Sequence, residues 1–123
     1  MKDKINILGT EYSIELKEMG NSDYDGYCDY TSKCITVRSD NYNKVEAFDW
    51  LQKKQLRHEV IHAFMAESGL QANWEHKQEF GHDETTVDWF AIQIPKITKA
   101  LVEAEIMSLE EIYNMQSTMY SCH

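Results

Sequence analysis

Apolar and polar residues alternate along the first forty positions and then change to a helical period. Ile5 and Ile7 alternate before Gly9-Thr10, and Tyr12, Ile14 and Leu16 alternate after it, which predicts two short strands around a turn. Gly20 to Gly26 is rich in turn formers. Tyr27 to Tyr30 and Cys34 to Arg38 then read as a hairpin closed around Thr31-Ser32-Lys33. Beyond residue 40 the spacing becomes helical. Asn43 followed by Glu46 resembles a capping box, which predicts a helix over 44–69 with Gly69 as its C-terminal stop. A second helix is expected over 83–107, with Val87, Phe90, Ala91 and Ile94 inward and a kink or break at Pro95. Ser108 and Glu111 form another capping box, which predicts a last helix over 109–119. The pattern as a whole predicts one α+β domain over 1–123, with strands and hairpin in 1–40 forming a small antiparallel or mixed sheet packed on two helices.

Charge narrows the function. Twelve lysines and arginines stand against 21 aspartates and glutamates, a formal net charge of -9. Such a surface repels phosphate backbones, so no direct nucleic-acid partner is expected. No apolar run approaches the roughly 20 residues of a membrane span, and the first residues lack the apolar centre of a secretory leader. A cytoplasmic protein is therefore expected. The odd set Cys28, Cys34 and Cys122 then reads as reduced thiols, although Cys28 and Cys34 could face each other across the hairpin.

Candidate chemistry lies in the first helix, which contains His58-Glu59-Val60-Ile61-His62. Residues four apart on a helix differ by about 40° in direction and about 6 Å in height, so both histidines can grip one ion. Glu59 lies about 60° from His62, at the edge of that face, where it reaches a water at the metal without being a ligand. Leu56, Val60, Ala63 and Phe64 lie away from the pair, which predicts a central and largely buried helix. With 5 histidines and 13 glutamates, composition alone gives this string in about 2% of chains, so further residues must support it.

The second helix offers them. Glu84 and Asp88 are four apart and share a face. Glu84 would complete a His58, His62, Glu84 set of three zinc ligands with one position open, and Asp88 could orient a ligand histidine. The plainer reading is that acidic residues favour a helix N-terminus. His82 and His76 are candidates for stabilising a developing oxyanion, although solvated loop histidines are the commoner case. Trp50, Trp74 and Trp89 read as core or pocket wall.

HEVIH followed by Glu84-Thr85-Thr86-Val87-Asp88-Trp89-Phe90-Ala91 resembles the gluzincin pattern, H-E-x-x-H and then E-x-x-x-D on a second helix. Among small proteins it is most similar to the ImmA/IrrE-like metallopeptidases of bacteria, phages and mobile elements, over roughly Cys34 to Pro95. The chain departs from that pattern at Ile61, where a small residue is common, and at Val87-Asp88, where Ala-Asn is common. Ser68 lies six beyond His62, so the third histidine of a metzincin is missing. The resemblance implies a zincin-like fold and one zinc per chain. It implies a protein or peptide substrate, with Glu59 as general base on zinc-bound water. The competing expectation is a zincin-like binding module on which zinc is structural, an accessory protein of a phage or mobile element.

Overall fold

The computed structural model describes residues 1–70 and 84–114, without the side chains of residues 84, 85, 87, 88 and 91. The chain order is β1 (Lys4–Ile7), β2 (Thr10–Lys17), β3 (Gly26–Asp29), β4 (Cys34–Arg38), α1 (Phe48–Glu67) and α2 (Glu84–Glu103), and residues 109–114 are again helical. The α+β expectation is borne out. Four strands form one mixed sheet in the order β1-β2-β4-β3. β1 and β2 are antiparallel, β2 and β4 parallel, and β3 and β4 antiparallel.

The first hairpin turns at Leu8-Gly9, whose φ angles are 53° and 93°. Two left-handed residues in a two-residue loop match the right-handed twist of the strands they join. Tyr12 and Ile14 turn inward as their alternation requires, whereas Leu16 is 46% exposed beyond the covered part of the sheet. Ile7, Tyr12, Ile35 and Val37 pack against Leu56, Val60, Ala63 and Phe64 of α1, all of them buried. Among the described residues no helix is long and apolar enough to cross a membrane.

Helix ends depart from the expected ones. α1 begins at Phe48, not near Lys44, and its N-cap residue Ala47 makes no side-chain cap bond. The Asn43–Glu46 capping box is not used, because Asn41 clamps Val45 instead. Its Nδ2 donates to the Val45 carbonyl and its Oδ1 accepts the Val45 N–H, both at 2.9 Å, while Lys44 turns left-handed at φ 52°. At the other end Gly69, at φ 84°, stops the helix as expected, its N–H donating to the Ala66 carbonyl.

α2 runs through Pro95 without a break and ends at Glu103, not Met107. Pro95 is exposed, so the hydrogen bond it cannot donate is lost where water reaches. The stop is a Schellman motif: Ile106 N–H reaches the Leu101 carbonyl, Glu105 N–H reaches that of Val102, and Glu105 sits at φ 60°. No glycine marks that position. The inward stripe of α2 also differs. Thr86, Trp89, Gln93, Ile97 and Ala100 are buried and Phe90 is half-buried, whereas Ile94 is 54% exposed. Docking selects this stripe, since Trp89 Nε1 donates to Ser68 Oγ at the end of α1 at 2.7 Å. Val87 and Ala91 lie outside the described side chains, as do residues 115–119 of the last helix. Ser108 does cap that helix, its Oγ accepting the Glu111 N–H at 3.0 Å.

Candidate metal centre

α1 lies across the sheet and turns His58, Glu59 and His62 toward β3, one of its two edge strands. Their ligand atoms all fall within 4.8 Å of one another, the one such cluster of histidine, cysteine and carboxylate groups among the described residues. His58 Nε2 and His62 Nε2 are 3.2 Å apart, with ring centroids 4.8 Å apart and planes at 70°. Nitrogens about 2.0–2.1 Å from a tetrahedral metal stand roughly 3.3–3.4 Å apart, so the pair fits one ion with little movement. Without a metal, the same pair can share one N–H···N hydrogen bond. This group can hold a metal ion.

Burial separates the three residues in a way the helical period does not show. Both histidines are exposed to the cleft, and Glu59 is the buried member at 4% exposure. The expectation of a largely buried helix does not hold at the histidines, which no described residue covers. Glu59 is not left unsatisfied, because Gln55 Nε2, one turn earlier, donates to its Oε2. β3 presses on the same pair. A Cβ built on Gly26 would lie 2.8 Å from the Thr36 carbonyl oxygen, 3.1 Å from Gln55 Cγ and 3.4 Å from Glu59 Oε2. Gly26 is therefore held to glycine first by the Thr36 carbonyl of β4 and then by the tight approach of Gln55 from α1.

The cluster opens into a cleft of about 730 Å³ between α1 and the β3 side of the sheet. Asp23, Tyr24, Asp25, Tyr27 and Tyr30 line its sheet side. Cys28 also lines it, and its thiol is pushed up to about 11 by burial and then by the charges of Glu59 and Asp29. At neutral pH it is a protonated thiol rather than a thiolate. The ladder register pairs Cys28 with Ile35 and Cys34 with Asp29, so the two cysteines project from opposite faces and both are free. A second cavity of about 190 Å³, walled by Phe48, Leu51, Asp25 and Asp40, holds no such ligand cluster.

The structure thus brings together His58, Glu59 and His62. The side chains of Glu84, which opens α2, and of Asp88 lie outside those described, as do His76, His82, Trp74 and Cys122. Trp89 is core, as expected, and Trp50 is 38% exposed on the surface. Sequence reasoning missed Gln55, Gly26 and the three tyrosines. Only Gln55 carried a usable signal, its place four residues before Glu59. Comparisons with protein-family models, with curated proteins and with solved structures give no match to this chain.

Proposed function

We propose that this chain is a zinc-dependent metallopeptidase, with zinc held by His58, His62 and Glu84 and with Asp88 orienting a ligand histidine. The observation that carries the reading is the 3.2 Å histidine pair beside a buried, hydrogen-bonded glutamate at the floor of an open cleft. With Glu84 as the third ligand the set leaves one position for water, as in a catalytic zinc site, whereas a structural site is closed by four protein ligands. Zinc there would supply a Lewis acid toward water and the substrate carbonyl. Glu59 takes a proton from the attacking water and returns it to the leaving amine nitrogen. Gln55 fixes the carboxylate by donating to Oε2, so Glu59 does not have to be ordered at the moment of reaction.

The sheet edge supports a polypeptide substrate. Arg38 N–H donates to the Asp25 carbonyl at 2.8 Å, and antiparallel alternation then turns the backbone groups of Tyr27 and Asp29 toward β4. Those of Gly26 and Cys28 point outward along the cleft, where no described strand pairs with them. An extended peptide can add to such an edge by main-chain hydrogen bonds.

Glu59→Gln tests the reading. Glutamine keeps the shape and still accepts from Gln55, so zinc and fold should be retained. Hydrolysis of peptides should fall by at least roughly 10²–10⁴-fold, the contribution of a positioned base. Equal rates in the variant and the wild type would remove Glu59 from the chemistry. A wild-type protein that holds zinc, retains a partner tightly and never cuts it would make the chain a binding module with structural zinc.

A further inference from the structure

Building on the peptidase reading of the cleft, we propose that the segment it accepts is an extended, cationic stretch of polypeptide, with lysine or arginine within a few residues of the bond that is cut. Apart from the two histidines, the described charged groups of the cleft are of one sign. Asp23 and Asp25 stand on its sheet side and Glu59 on its floor, and no lysine or arginine is among its described lining residues. Asp23 is exposed and has no ion pair or side-chain hydrogen bond among the described residues. Asp25 is 63% exposed at its side chain although Arg38 bonds one of its oxygens at 2.9 Å.

The nearest buried cation cannot serve an acidic substrate. Arg38 is 5% exposed and uses all five of its donors on the protein. Nε donates to Asp25 Oδ1. Nη1 donates to the Gly20 carbonyl at 2.6 Å and Asp40 Oδ2 at 3.0 Å. Nη2 donates to the Ser22 and Tyr24 carbonyls at 3.0 and 3.1 Å. Arg38 therefore pins the segment that carries Asp23 and Asp25, and none of its charge is left for an incoming anion.

Two further features agree with a cation. Tyr24, Tyr27 and Tyr30 present rings that are 70%, 45% and 45% exposed beside these carboxylates, and ring faces attract ammonium and guanidinium groups. The net charge of -9 steers cationic segments toward the protein and acidic ones away. A bound zinc would offset charge at the histidines, while Asp23 on the sheet side keeps its own. The outward backbone of β3 sets the extended form, and the carboxylates and rings select the side chains.

The test uses the full zinc-loaded chain and an unbiased library of peptides, with cut positions read by mass spectrometry. Wild type, Glu59→Gln, Asp23→Asn and Asp23→Lys are compared. The expected result is cleavage lost in Glu59→Gln, with lysine and arginine enriched beside the cuts. That enrichment should drop about two- to fivefold in Asp23→Asn, the effect of one exposed charge, and further in Asp23→Lys. Cuts with no cationic enrichment, with acidic enrichment, or with a preference unchanged in both Asp23 variants overturn the proposal and leave the peptidase reading standing. No cuts with zinc confirmed in place, or cuts that persist in Glu59→Gln, overturn the peptidase reading and this proposal with it.

Discussion

Gly26→Ala isolates the contact on which the cleft is built. The new methyl carbon would lie 2.8 Å from the Thr36 carbonyl oxygen and 3.1 Å from Gln55 Cγ. Gln55 is a side chain and can give by a few tenths of an ångström. Thr36 cannot, because β4 is tied to β2 on one side and to β3 on the other. The strain therefore falls on the pairing of β3 with β4. Overpacking of this kind costs about 1–3 kcal/mol. Replacing a strand glycine returns about 0.5–1 kcal/mol, because the unfolded chain loses freedom. The expected net loss is about 1–2 kcal/mol. For a chain of 123 residues this lowers Tm by about 4–8 °C. The check is a thermal melt of the metal-free protein, repeated in a Gln55→Ala background. Removing Gln55 Cγ takes away one of the two clashes, so the cost of Gly26→Ala should shrink there by part of its value. A Gly26→Ala protein as stable as wild type would refute the close packing of Gly26 against Thr36 and Gln55.

Four other outcomes are expected. Purified protein should take up one zinc per chain, and a zinc level 100-fold above its Kd should raise stability by about 2.7 kcal/mol, an effect that a chelator reverses. In the same titration Glu84→Ala should nearly abolish uptake and Asp88→Asn should weaken it by roughly 10–100-fold; the reverse ranking would exchange their roles. Arg38→Met should cost about 3 kcal/mol in chemical denaturation, the low end for a broken buried pair because Asp25 is 63% exposed and rehydrates; a loss below about 1 kcal/mol would show that its bonds do not hold the 20–25 segment. Glu67 is held below its ordinary value of 4.5, first by its hydrogen bond from Lys33. A lowered carboxylate contributes stability that is present above pH 4.5 and is lost as pH falls through the lowered pKa. The Tm gap between wild type and Lys33→Met should therefore close in acid, and a gap that stays constant would place its origin elsewhere.

Alternation together with the turn residues that bound it was enough to locate the four strands, and the longer helical pattern located the helix that carries HEVIH. It also placed His58 and His62 on one face, because a four-residue step on a helix fixes their relative direction before anything else folds. Gly69 ended α1 where a left-handed stop was needed. The failures were of another kind. Asn41 outcompeted Asn43 through a bond to Val45 that depends on the loop's path. Glu105 took a left-handed stop that its residue type does not announce. Ile94 was left outside because the end of α1 decided which stripe of α2 would dock. The same holds at the metal centre. That Glu59 is buried while its two histidines are open, and that Gly26 and Gln55 brace it, comes from β3 crossing α1 more than twenty residues away in the chain. A sequence fixes which side chains share a turn of helix. Only packing decides which of them meets water and which is covered by a neighbouring strand.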